Sequence, residues 1–255
     1  MTSIAAGAIE LWLLDRDAAA ATLGEIEGAK PRLAHDEIGR AGATTDPQQA
    51  IAWRAGRTAL RLLLERRCDL DLMRQPFGAD PSGRPRIPMP SPIDFSLSDS
   101  GAFLLIGLAN GLDIGVDIEL RRPAGVRMPP ALLARLLASA AALGACPPAT
   151  PLQAWTRIEA FAKARRQSLA AALAELGIRG GGADALSADD LYHRAHDLQS
   201  ATGIAVVDLD FAASLTGACA CTRRATLACT RRATLACTQI LRVQPLDAAM
   251  LRQLA

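Results

Sequence analysis

The residues best placed to do chemistry lie in segment 112–120, LDIGVDIEL. Its apolar side chains fall at 112, 114, 116, 118 and 120, a period of two that predicts a strand. Asp113, Asp117 and Glu119 then share the opposite face. Carboxylates crowded on one face repel one another unless a cation or a basic group lies between them. Hard oxygen donors in this arrangement suit Mg²⁺, which takes one or two carboxylates and fills its remaining positions with water or substrate phosphates. A half-buried strand with a polar outer face produces the same Asp-x-Glu pattern, so the segment by itself leaves both readings open.

A second group lies in segment 155–166, WTRIEAFAKARR. On a helix Trp155, Glu159 and Lys163 recur every four residues and line one face. That face offers a third carboxylate and an ammonium, or equally a surface Glu–Lys pair. Lys163 stands out against its background. Among 28 Lys plus Arg, Lys30 and Lys163 are the two lysines. Codon bias explains the arginines, but a compact ammonium and a planar guanidinium do different work.

The elements that must position these groups follow from turn and capping signals. Segment 9–14 is a predicted first strand, followed by a polar, alanine-rich stretch. Thr45-Asp46-Pro47-Gln48 has the side chains of a helix start. Apolar residues at helical spacing continue it over 50–67, where Arg54, Arg57 and Arg61 share one face, either solvated or open to an anion. Segment 76–92 is a Pro- and Gly-rich loop. Segment 93–120 reads as three strands, with turns at 98–101 and at Asn110-Gly111, the latter a hairpin signal. Pro129 and Pro130 open a helix over 131–143 that Gly144 ends. Pro151 opens another through Lys163, with a break before a helix at 169–176. Gly180 to Gly182 form a turn, 204–211 a strand, and the tail further strands with a last helical turn at 247–254.

The resulting class is α+β, a mixed α/β order of two similar halves, expected as subdomains 1–115 and 116–255. At 255 residues, half of them hydrophobic, the chain can build a full core. A net charge of +2 creates no field that would recruit nucleic acid or a membrane surface. No apolar run is long enough to span a bilayer. The N-terminus reads as a strand rather than a signal peptide, so a cytoplasmic location with six reduced cysteines is expected. The octapeptide ACTRRATL occurs twice over 220–235 and begins again at Ala236. It is too short for a solenoid unit and reads as a tandem duplication. Its cysteines lack the spacing of a zinc knuckle.

Taken together, GVDIE followed by W-x-x-x-E-A-x-x-K resembles the signature of the broad-specificity, pseudo-dimeric 4′-phosphopantetheinyl transferases. The likeness extends upstream and covers about residues 9–170. RLAHDEIGRA and RAGRTALRLLLE look like that family's N-terminal helices. SGRP looks like its Gly-Lys-Pro loop with Arg84 replacing Lys, and FSLSDSG looks like its Asn-Leu-Ser-His-Ser turn. The resemblance implies a pseudo-twofold fold with antiparallel sheets and packed helices, and coenzyme A in the cleft between the halves. It implies a Mg²⁺ ion held by Asp117, Glu119 and Glu159, with Lys163 on the coenzyme A phosphates. Arg84 and Arg57 would bind the nucleotide end, and Ser98 and Asp99 would occupy the turn that contacts the same phosphate or the adenine. The reaction would move 4′-phosphopantetheine onto a serine of an apo carrier protein, releasing 3′,5′-ADP. Asp117, Glu159 and Lys163 would be its catalytic residues, with Glu159 or a coordinated water taking the serine proton. A monomer is implied by analogy.

Four further positions depart from the family pattern. Asp99 stands where His is usual, setting an anion near a phosphate unless it turns away or pairs with an arginine. Ile158 replaces a common Lys, and Arg166 and Ser168 fall where glycines are common. None removes a metal ligand. They leave open a catalytically weakened relative that only binds coenzyme A or a carrier protein.

Overall fold

The computed structural model describes residues 3–80, 83–121, 128–179, 186–211, 214–222 and 242–255. The expected turn at Gly180 to Gly182 and nearly all of the duplicated octapeptides lie outside these residues. The fold is mixed α+β, with sheets dominated by antiparallel pairs, as the sequence predicts.

The first sheet has the order β4-β5-β1-β9. Its strands are β1 (Ile9–Asp15), β4 (Ile93–Ser100), β5 (Phe103–Asn110) and β9 (Val243–Pro245). Both long pairs are antiparallel, and β9 joins β1 in parallel. Helices α1 (Arg16–Ala29) and α3 (Pro47–Cys68) cover one face. Alternation along the strands divides two cores. Trp12, Leu14, Leu104, Ile106 and Leu108 face the helices, whereas Leu11, Leu105 and Ala109 face the second sheet. The alanine-rich stretch after β1, read only as polar, is the whole of α1. Asp15 caps it by accepting from the amides of Asp17 and Ala18. In α3 the cap is Asp46, followed by Pro47 at the first helical position. The short α2 (His35–Gly42) packs on α3, and a two-residue ribbon, β2 (Gly78–Ala79) with β3 (Pro85–Arg86), spans the Pro-rich loop.

The second sheet has the order β6-β8-β7, from β6 (Ile114–Leu120), β7 (Ile204–Leu209) and β8 (Leu215–Thr222). Helix α5 (Pro151–Ala164) lies on its outer face, with α4 (Pro130–Leu143) and α7 (Ala188–Thr202) behind. The break after Lys163 is present, and α6 (Leu169–Glu175) follows it. Ile114, Val116 and Ile118 are fully buried between the two sheets, as the alternation predicts.

Two expectations change. Asn110-Gly111 does not close a hairpin, although Gly111 has the left-handed φ of 73°. The chain there leaves the first sheet, and β6 pairs with β8 instead of β5. The turn placed at 98–101 is shorter: Ser98, Asp99 and Ser100 lie within β4, and Gly101 with φ 59° makes the reversal. A cut between 115 and 116 divides β6, and β9 with α8 (Ala248–Leu254) returns to the first half, where Leu246, Leu251 and Leu254 are buried.

Candidate functional site

The site is built where α5 crosses β6. Gly115 decides how closely they meet. A Cβ at that position would fall onto the Ala160 carbonyl oxygen and the Ala164 nitrogen, and 2.9 Å from Lys163 Cβ. Without a side chain there, the helix lies directly on the strand and brings Glu159 and Lys163 over Asp117.

Lys163 Nζ donates to Asp117 Oδ1 at 2.8 Å and to the Val116 carbonyl at 3.1 Å. It also lies 3.2 Å from Glu159 Oε1, one helical turn back. One ammonium therefore spans two carboxylates from different elements. Asp117 is only 2 % exposed, so it does not belong to a solvated outer face. Its Oδ1 also accepts from Ser98 Oγ at 2.7 Å, while Oδ2 is buried with no hydrogen-bond partner. Burial pushes the Asp117 carboxyl up to about 7; Lys163 opposes that shift and Glu159 adds to it. A buried oxygen without a partner, next to a second carboxylate, is a place that a cation would stabilise.

Glu119 lies two residues on and accepts from Ser100 Oγ at 2.8 Å. Among the described residues no three His, Cys, Asp or Glu side chains are gathered closely enough to hold a metal ion. Asp117 and Glu159 thus share the Lys163 ammonium, and Glu119 is held apart toward β4. Asp113, the first acid of the pattern, pairs instead with Arg166 at 3.1 Å.

Glu159, Lys163, Arg84, Arg166 and Gln167 line an open cavity of about 300 Å³ between the two halves. Arg84 is engaged by the protein itself. Its guanidinium donates to the carbonyls of Lys163, Phe95 and Ile114 and lies 3.5 Å from Asp94. Burial lowers its pKa, with Asp94 opposing. Arg57 is absent from the cavity wall. It stacks 5.2 Å over Trp53 on α3 and is lowered by burial. Asp99 points away from Ser98, as adjacent strand residues must, and pairs with Arg16 at 3.2 Å.

No protein-family model matches this chain, and no curated protein matches it. The site therefore stands on its own geometry and on the motifs that compose it.

The departures from the family pattern have local roles, and Arg157, which the motifs did not mark, adds another. Arg166 has a left-handed φ of 54°, the conformation that glycine takes most easily, which fits a position where glycine is common. It lies 3.4 Å from Asp94 and 3.1 Å from Asp113, and these anions raise its pKa against the effect of burial. Ser168 caps α6. Ile158 is fully buried, so a lysine there would place a charge in the core. Arg157, also fully buried, holds Asp208 through two bonds of 2.7 and 2.6 Å and fixes α5 to β7. Of the cysteines, Cys68 has its thiol pushed up to about 12 by burial, so it stays protonated.

Proposed function

We propose that this chain transfers 4′-phosphopantetheine from coenzyme A to a serine hydroxyl of an apo carrier protein, in a Mg²⁺-dependent reaction that releases 3′,5′-ADP. The observation that carries the reading is Lys163 bridging Asp117 of β6 and Glu159 of α5 beside an open cavity. These residues come from the two motifs that resemble the transferase family, and their meeting supports the reading.

Phosphoryl transfer rests on positioning and on neutralising charge. When bound, Mg²⁺ would be held by Asp117 and Glu159, with water or substrate oxygens in its remaining positions, and would neutralise the charge of the diphosphate. Lys163 holds the phosphates through its ammonium, reoriented from the carboxylates it now spans. Glu159 is about one-quarter exposed and lines the cavity, so it can receive the proton of the carrier hydroxyl. The serine oxygen bonds to the phosphorus next to pantetheine, and the bond to the 3′,5′-ADP oxygen breaks.

One observation favours a second reading, a relative that binds coenzyme A or a carrier protein without turnover. Arg84 is committed to three carbonyls and Asp94 and is poorly placed to hold a nucleotide phosphate as well. The test is to incubate the protein with coenzyme A, Mg²⁺ and several apo carrier proteins and to weigh the carriers. A serine-linked phosphopantetheine adduct supports transfer. Carrier or coenzyme binding without mass gain supports the second reading, and coenzyme hydrolysis without an adduct excludes both. Asp117→Ala or Glu159→Ala abolishes the adduct in a folded protein; near-normal transfer in either variant contradicts the assignment.

A further inference from the structure

Strands β4 and β6 lie side by side in different sheets, and no backbone ladder joins them. Side chains bridge them instead. The amides of Ile114, Val116, Ile118 and Leu120 donate in turn to Asp94 Oδ2 and to the hydroxyls of Ser96, Ser98 and Ser100, at 3.0, 3.0, 3.3 and 3.1 Å. On the same edge of β6, Arg84 takes the carbonyl of Ile114 and Lys163 that of Val116. An open strand edge is thus satisfied rung by rung by alternate side chains of its neighbour.

Two rungs do more than close the edge. A serine hydroxyl has one proton. In accepting from Ile118, Ser98 keeps that proton for Asp117 Oδ1, and in accepting from Leu120, Ser100 keeps its own for Glu119 Oε2. For Asp117 the outcome is asymmetric: Oδ1 takes both Ser98 and Lys163, and Oδ2 takes nothing. Ser96 occupies an equivalent rung at Val116.

We infer that Ser98 is a positioning residue, tying Oδ1 of Asp117 toward β4 so that Oδ2 is presented to a divalent cation. This rests on the metal-dependent reading above but departs from the expectation that Ser98 contacts the coenzyme. Outer hydrogen bonds of this kind orient ligands and commonly change metal affinity by about 10- to 100-fold.

The test is calorimetric titration of the full chain with Mn²⁺ alone, without coenzyme or carrier. S98A weakens Mn²⁺ binding by about tenfold or more, S98T regains most of it, and S96A keeps the wild-type affinity despite losing a rung. If S98A does not fold, S98C, which keeps the size of the side chain but donates only weakly, decides the matter. Unchanged Mn²⁺ affinity in S98A or S98C, or an equal loss in S96A, overturns the inference and leaves the metal reading in place. A wild-type chain that binds no Mn²⁺ overturns both.

Discussion

Gly115 and Lys163 are in direct apposition, with the glycine Cα of β6 lying beneath the lysine stem of α5 so closely that one added methyl group has no room. The helix cannot yield freely, because Ile158 and Phe161 are fully buried on its other contacts and Arg157 anchors it to Asp208. Gly115→Ala therefore overpacks the crossing and costs about 1–3 kcal/mol. Because Lys163 moves with the helix, transfer falls by more than stability alone explains. Thermal unfolding and turnover measured at a temperature where the variant is fully folded check this; wild-type turnover contradicts it.

Lys163→Met removes the ammonium from between Asp117 and Glu159. A buried carboxylate that loses its partner is costly, on the order of 3 kcal/mol, unless it takes up a proton. The variant is thus markedly destabilised at pH 8 and much less so at pH 5, where Asp117 is neutral. Transfer is lost at both. Denaturant unfolding at the two pH values provides the comparison, and a pH-independent cost rules the account out.

Asp117 gives a pH dependence of definite sign. Its folded carboxyl is pushed up to about 7, from an ordinary value of 3.8, with burial the leading cause. The folded chain then holds this proton more tightly than the unfolded chain. The resulting stability is complete below about pH 4 and is lost as pH rises through about 7. The midpoint of thermal unfolding should decline over that window without metal, and Asp117→Asn should flatten the decline. Because a cation competes with the same proton, apparent Mg²⁺ affinity rises with pH through 7. An unaltered pH profile in Asp117→Asn would falsify this origin.

Asp99 is 60 % exposed and its partner Arg16 is the first residue of α1, so their ion pair contributes less than about 1 kcal/mol. Asp99→His should leave stability nearly unchanged. Because Asp99 points away from Ser98 and is already paired with Arg16, the change should also leave the KM for coenzyme A and kcat nearly unchanged. Steady-state kinetics test this, and a several-fold fall in KM contradicts it.

What the sequence determined by itself is what local chemistry controls. The period of two over 112–120 placed Ile114, Val116 and Ile118 in the core, because a strand has no other way to direct alternate side chains. Proline at helix starts and Gly144 after α4 marked helix ends, since proline fixes its own φ and glycine favours helix least among residues with a free backbone. Spacing also put Glu159 and Lys163 on one face. Tertiary structure decided which partners those faces met. Asn110-Gly111 has the chemistry of a hairpin, yet β6 gains its ladder from β8, about 100 residues away in sequence. The partners of Arg84, Arg57 and Arg157, and the return of β9 and α8 to the first half, depend on sheet edges and core packing between distant segments. Even the serine rungs were written in the sequence as alternate polar residues at 94, 96, 98 and 100. Their meaning appeared only when β4 came to lie against the edge of β6.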